Sequence, residues 1–332
     1  MSVRKKSISP VLWPLFGLIA LVVLNLVLNH GFLKITILDG RLYGLPIDIL
    51  NQGARGLVLA LGMTLVIATG GVDLSVGSIM AAAGALAAVL IVKGCGLTLA
   101  LGAGIGLAIA AGGANGLLVA RLGIQPIVAT LILMVVGRGA AQLITNGEVV
   151  LINNPTFEFL GNGHFLGLPF APLLAGGLFI AAHLFLRRTA AGLFIEATGD
   201  NEQAARFAGL AAAHVKGLVY VFCGLCAGLA GLMAAANIRA ADSYRMGENM
   251  ELDAIFAVVV GGTALTGGRF LLLGAFVGAL LLQTLTTTMY NLGVPPAVAP
   301  VPKAVLILVV CLLQSSHARR WFGGLFKKGG VA

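Results

Sequence analysis

Residues 66–92 read VIATGGVDLSVGSIMAAAGALAAVLIV: an apolar run, a break at Gly70 and Gly71, and a second apolar run. In a soluble chain this would be strand, turn and helix. Each arm, however, extends to about 20 apolar residues, the length that crosses ~30 Å of hydrocarbon, so the stretch reads as two membrane helices joined by a tight polar turn. Gly70 and Gly71 let the chain reverse, because glycine visits positive φ without penalty. Asp73 is placed to cap the second helix by accepting first-turn N–H groups, with Ser75 adding a hydroxyl and Gly77 following. That is a plainer role than proton relay or ion ligand. Gly261, Gly262, Leu265, Thr266 and Gly268 repeat the GG–L–S/T–G spacing, with Ala264 where Asp73 stands. The match fits duplicated halves, a construction common in transporters; chance in a chain with 47 glycines competes with it.

Working outward, 59% of the 332 residues are hydrophobic and 10% are charged. Soluble domains carry roughly 25% charge, which excludes that class and predicts an all-α polytopic membrane protein. The net charge of +9 sits at the termini and in one loop beside apolar spans. It therefore reads as membrane orientation, with membrane lipid as surroundings and no nucleic-acid partner. Cys223 and Cys226 have C-x-x-C spacing inside an apolar run, which reads as small-residue packing, and the five histidines form no pair at metal-ligand spacing. No metal is expected.

About ten transmembrane helices follow from the pattern, both termini cytoplasmic, in a single transmembrane domain over 1–332. The spans lie near 11–29, the two arms of the Gly70 turn, and near 97–120, 126–144, 169–186, 217–236, 250–261, 270–290 and 301–314. The first is long enough to stay as an anchor. Segment 30–52 is mixed and reads as extracytoplasmic with a short interfacial piece; 145–168, free of Lys and Arg, reads as an external loop. Thirteen of the 21 basic residues then fall inside and six outside, the others being Arg138 within a span and Lys303 near a span end. This is the positive-inside bias. Glycines in GAGIG and GGANG, between 102 and 116, lack the strand and ribose-binding acid of a dinucleotide site and read as close helix packing.

The longest inner loop, 187–216, is the most informative polar segment. Asp200 and Gln203 have capping-box spacing, Glu202 and Arg206 form an i,i+4 pair, and Gly209 stands where a helix would stop. A surface helix of about two turns is predicted over 200–209, with small sides at Ala204, Ala205 and Ala208 and one large knob, Phe207. Such a helix suits insertion into a groove of another protein; an ordinary solvated loop is an equal reading on these residues alone. The chain has no G-x-x-x-x-G-K-[ST] segment and no Gly-Lys dipeptide, so any ATP-driven step needs a separate subunit. Polar residues expected inside spans are Asn115, Gln125, Thr130, Arg138, Gln142, Gln283, Thr284, Thr286, Thr287, Thr288 and Asn291. Mostly neutral donors and acceptors, they suit a path for an uncharged polyhydroxylated solute, although each threonine is more readily spent on its own helix backbone.

GMTLVIATGGVDLSVGS, then Gly192, Ala197, Gly199, Asn201, Ala204, Ala205 and Gly209 in G-x4-A-x-G-x-N-x2-A-A-x3-G, then ELDAIFAVVVGGTALTGGR resemble the ribose-type permeases of bacterial carbohydrate ABC importers. DGRLYGLPIDILN, QPIVATLILMVVGRGAAQLIT and MELDAIFAVVVGG are similar to the galactofuranose branch of that class. The resemblance covers essentially the whole chain. It implies an inner-membrane subunit working with a second, related permease, one or two ABC ATPase subunits that carry ATP and Mg, and a periplasmic sugar-binding protein. The segment Glu196 to Gly209, with Gly199, Asp200, Asn201, Ala204, Ala205, Arg206 and Phe207, would be its coupling element. An ion-driven sugar transporter is the runner-up; it would need buried acids, and Asp73 and Asp253 are the ones near span ends. A membrane-embedded enzyme comes third, for want of facing acid and base groups.

Overall fold

A computed structural model of the protein describes residues 11–38 and 40–314. The basic termini that carried part of the orientation argument lie outside them. Apolar runs become helices wherever the chain crosses the bundle: α1 (Leu12–Leu28), α2 (Leu45–Ala68), α3 (Val76–Val92), α4 (Leu97–Ala120) and α5 (Pro126–Thr145). Then come the short α6 (Pro155–Asn162), α7 (Phe170–Arg188), α8 (Ala191–Asp200), α9 (Glu202–Phe207), α10 (Ala212–Ile238), α11 (Met250–Val260), α12 (Leu272–Asn291) and α13 (Pro300–Gln314). Proline opens α2, α5 and α6, where its missing N–H costs nothing.

Six helices, α2, α4, α5, α7, α10 and α12, are long and apolar enough to cross a membrane. α1, α3 and α13 are apolar but shorter, and α11 has 11 residues. The ten expected spans thus each find a helix, but not all find a full-length one. Three other expectations gain detail. α2 begins at Leu45, inside the segment expected to be external, because Pro46 starts it and Asp48 sits in its first turn. The loop 145–168 contains α6, capped by Asn154, whose Oδ1 accepts the Phe157 N–H at 3.0 Å. The inner loop holds two helices rather than one.

Short antiparallel pairs close one end of the bundle: β1 (Thr36–Leu38) with β2 (Arg41–Tyr43), β3 (Val150–Leu151) with β6 (Ala240–Ala241), and β4 (His164–Phe165) with β5 (Leu168–Pro169). The Gly70 turn, the 121–125 turn, α8, α9 and the 261–268 turn gather at the other end. Loops expected inside are therefore together, away from those expected outside.

α2 and α10 form the buried centre, and α4, α5 and α7 turn most of their surfaces outward. Small residues bring α4 and α10 together. Gly104, Ala108, Gly112 and Gly116 recur every fourth position on one face of α4, and Gly217, Gly224 and Gly228 answer on α10. A Cβ on Gly112 would stand 2.5 Å from the Tyr220 carbonyl and 3.1 Å from Gly224 Cα. In lipid there is no hydrophobic gain from association, so helices are held by this close packing. Gly104, Gly112 and Gly116 of the GAGIG and GGANG segments therefore act as the sequence predicts, whereas Gly102, Gly106 and Gly113 make no close backbone contact. Cys223 and Cys226 are buried against Gly62 as free thiols.

Gly112→Ala is expected to destabilise the purified chain by about 1–3 kcal/mol through overpacking. Gly113→Ala next to it, with the Val221 side chain 3.8 Å from the added methyl, should leave thermal unfolding in detergent unchanged or slightly raised.

Candidate functional site

At the α9 end the chain leaves α7 and builds an arm. α8 stops at Asp200 because Asn201 is extended (φ −154°, ψ 101°), and Asn201 then starts α9. Its Oδ1 accepts the Ala204 N–H at 2.9 Å. Asn201, not Asp200, is thus the N-cap, and the Asp200/Gln203 capping box is not formed. Asparagine caps as well as aspartate, and moving the cap by one residue puts Ala204, not Gln203, at the third helical position. The Glu202–Arg206 pair forms at 2.5 Å, and Glu202 also accepts from Lys216 Nζ of α10 at 2.5 Å. The Lys216 hydrogen bond, ahead of the opposing effect of burial, holds the Glu202 carboxyl below its usual range. A depressed carboxyl pKa means that this tie is whole above about pH 4.5 and is lost as pH falls through the lowered value. Gly209 ends the arm at φ +86°.

Two clefts flank the arm. One, about 440 Å³, lies between the 121–126 turn, which includes Gln125, and Glu202, Arg206 and Lys216. The other, about 390 Å³, is bordered by Glu196, Arg187, His183 and Phe270. Ala205 is buried, whereas Ala204 is exposed, so the alanine face is split. Phe207 is 92% exposed at the tip. An aromatic ring left in the open on a capped, salt-bridged helix is a ready anchor for a partner surface.

The root of the arm is locked into the bundle by glycines. The Gly268 N–H donates to the Ala68 carbonyl at 2.9 Å. A Cβ on Gly199 would collide with that carbonyl and lie 2.6 Å from Gly268 N, and one on Gly267 would lie 2.8 Å from Gly70 N. The turn that begins at the first GG pair is therefore packed on the far end of the turn that begins at the second, Gly267 and Gly268, with the end of α8 against both. Their left-handed residues are Gly70 (φ +78°) and Gly262 (φ +92°), the first glycine of one pair and the second of the other.

Within the Gly70 turn, Asp73 is fully buried, and its Oδ1 accepts the Ser75 N–H at 2.9 Å and the Ser75 hydroxyl at 2.6 Å. This is a local turn at the residue two before the cap position, which Ser75 occupies without a side-chain capping bond; Asp73 as direct helix cap is corrected accordingly. Asn115 Nδ2 joins from α4, 2.8 Å from Ser75 Oγ and 3.3 Å from Asp73 Oδ1. Gly71 passes beneath Tyr220, whose hydroxyl would be 2.5 Å from an added Cβ.

The remaining polar candidates are dispersed. Thr130 donates to the Pro126 carbonyl at 2.9 Å, and Thr284, Thr286 and Thr288 likewise bond their own helix. Thr288 also accepts from Asn25 of α1 at 2.7 Å, a link the sequence did not reveal. Gln283 reaches Thr287 at 3.3 Å and packs on Gly53; Asn291 and Gln125 are exposed at helix ends. Arg138, one turn before the half-buried Gln142, donates to the carbonyls of Ser243 (3.2 Å), Tyr244 (3.4 Å) and Met246 (2.7 Å). It supplies the partners that a non-helical segment inside a bilayer cannot take from lipid.

That segment leads into α11, which at 11 residues rises ~16 Å, about half the hydrocarbon thickness. Gly247 lies against Gly77 at the start of α3, beside the Glu251 carboxylate. Two helix N-termini thus meet inside the bundle, the arrangement of discontinuous helices around transporter pathways. Glu251 and Gly247 were missed in the sequence; the shortness of the 250–261 span was the available signal.

Asn201→Ala removes the α9 cap and should weaken that helix by about 1 kcal/mol, raising amide exchange at 204–207 about fivefold; Asn201→Asp should keep the protection of the parent chain.

A family described as the branched-chain amino acid transport system permease component matches residues 45–311. The galactofuranose transporter permease protein YtfT of Escherichia coli K12 is 51% identical over 300 residues, 90% of this chain and 88% of that one. The fructose import permease protein FruF of Bifidobacterium longum is 39% identical, covering 94% of this chain and 90% of its own. The ribose import permease protein RbsC of Bacillus subtilis is also 39% identical, at 91% and 92%. No solved structure matches. With a helical, multi-pass architecture and relatives matched nearly end to end, this chain belongs to the branched-chain-type family of transport-system permease components.

Proposed function

We propose that the chain is the membrane-embedded permease subunit of a bacterial sugar ABC importer and that its substrate is a monosaccharide, galactofuranose in the first instance. The sugar reading rests on the three relatives named for galactofuranose, fructose and ribose import, and the 51% identity favours the first. The mechanism rests on one observation, the arm α8–α9: it is locked at its root into both glycine turns and bears Phe207 in the open at its tip.

In this reading the α9 end faces the cytoplasm, as do both termini, and the chain crosses the inner membrane about ten times. A separate ABC ATPase, carrying ATP and Mg, seats Phe207 in a surface groove. A second permease chain, identical or related, completes the path, and a periplasmic binding protein delivers the sugar to the opposite end. Closure of the ATPase pair pushes α9, and α8 passes the displacement to the Gly70 and Gly267 turns, from which α2, α3, α11 and α12 leave. Glu196, Gly199, Asp200, Asn201, Ala204, Ala205, Arg206, Phe207 and Gly209 are the coupling set. The discontinuity at Gly77 and Gly247, with Arg138, Gln142 and Glu251, is the stretch of bundle best suited to the sugar path. The ion-driven alternative loses its two named acids to other duties: Asp253 pairs with Lys303 at 2.7 Å, and Asp73 is enclosed by Ser75 and Asn115.

Phe207→Asp, reconstituted in vesicles with the ATPase, the second permease and the binding protein, should insert normally but lose sugar-stimulated ATP hydrolysis. Stimulation at the level of the parent chain would count decisively against this mechanism.

A further inference from the structure

An apolar groove lies beside the root of the arm, apart from the mid-bundle junction. It has a volume of about 510 Å³, lies between α2, α7, α8 and α10, and every residue lining it is apolar, among them Leu61, Leu178, Phe185, Phe194, Val215 and Leu229. Phe185 and Leu218 on its rim are exposed, so it opens away from the bundle centre. Along α10 it runs from Val215 to Leu229, ~21 Å of helix, about the ~20–22 Å of one leaflet with its headgroup region. It is therefore a slot one leaflet deep on the α9 side. Arg187 and Arg188, the last two residues of α7, follow the lining residues Phe185 and Leu186 directly. Both are exposed, and neither forms an ion pair among the described residues. Arg188 continues the groove face of α7 three residues after Phe185, whereas Arg187, with Glu196, borders the neighbouring cleft, which shares Leu186 with the groove.

An apolar slot with two exposed arginines at its α7 end, one on the groove face and one on the cleft beside it, has the polarity of a phospholipid. We propose that this groove binds one anionic phospholipid of the leaflet on the α9 side, an acyl chain lying between α7 and α10 and the phosphate headgroup on Arg187 and Arg188. The arginines choose the headgroup, since basic residues at a membrane surface favour anionic over zwitterionic lipid. A planar guanidinium also holds phosphate oxygens in two parallel hydrogen bonds, which gives the headgroup a fixed seat. Ala191, Phe194 and Ile195 of α8 line the same groove, so the bound lipid is in contact with the helix that carries the arm. The composition of one leaflet thereby reaches the element proposed to transmit the ATPase stroke.

The test uses the full-length chain in detergent with equimolar phosphatidylglycerol and phosphatidylethanolamine, and bound lipid is read by native mass spectrometry. One phosphatidylglycerol should be retained per chain in preference to phosphatidylethanolamine, and the double variant Arg187→Gln, Arg188→Gln should lower that preference roughly tenfold. Ala181→Trp, or Leu218→Trp should the first fail to fold, fills the groove and should reduce retention of both lipids, with thermal unfolding as the check on folding. Equal retention of the two lipids by the parent chain, or an undiminished preference in the arginine variant, would overturn the proposal. So would groove-filling variants that retain lipid normally but no longer pair with a second permease, since the groove would then be covered by protein.

Discussion

The contact on which the structure turns is a single hydrogen bond between two backbones, Gly268 N–H to the Ala68 carbonyl, with Gly199 pressed flat against it. It joins the end of α2, the turn between α11 and α12, and the last residues of α8 at one point. Three chain segments approach so closely because no side chain intervenes; a methyl on Gly199 would have to displace backbone. Backbone-to-backbone contact is stiff, as a packed interior yields little before something must move as a whole. A push on α9 has little room to dissipate before it reaches the helices.

The second constraint comes from the solvent. Hydrocarbon offers no hydrogen bonds, so each irregular stretch within the bundle carries its own partners. The 70–75 turn uses Asp73, Ser75 and Asn115. The segment before α11 uses the guanidinium of Arg138, which takes up three carbonyls. Arg138, a buried cation that the sequence leaves open between bridging and solute contact, and Asp73, which reads as a helix cap, are thus engaged in holding two chain reversals in place. Both reversals end at the junction of Gly77 and Gly247, so the cost of breaking these helices is met where a transporter has most use for a break.

Much of this architecture was legible in the sequence because its signals are long or local. Span 97–120 emerges with the expected ends, since an uninterrupted apolar run and Gly96 and Arg121 at its borders leave little choice. The Glu202–Arg206 pair and the stop at Gly209 followed from i,i+4 spacing and from glycine's freedom at positive φ. What escaped depended on tertiary partners. Asn201 and Asp200 are equivalent as isolated caps, and the choice of Asn201 accompanies the fixing of Gly199 against Ala68. Glu202 acquires Lys216 only when α10 folds back beside α9. α11 was legible as a short apolar run, but not as half of a broken span, because its partner at Gly77 is remote in the chain. The scatter of the threonines also follows from a local rule, the hydroxyl's preference for its own helix carbonyl.

The central claim is that the end bearing Phe207 faces the cytoplasm and is covered there by the ATPase. With Cys95, Cys223, Cys226 and Cys311 replaced, a single cysteine at Phe207 or, at the opposite end, at Leu166 can be probed with a membrane-impermeant thiol reagent; the two native side chains are 92% and 88% exposed. The account predicts that Phe207→Cys reacts only in inverted vesicles and is shielded when the ATPase is added, while Leu166→Cys reacts only from the periplasmic side. Labelling of Phe207→Cys from the periplasm, or its indifference to the ATPase, would contradict it.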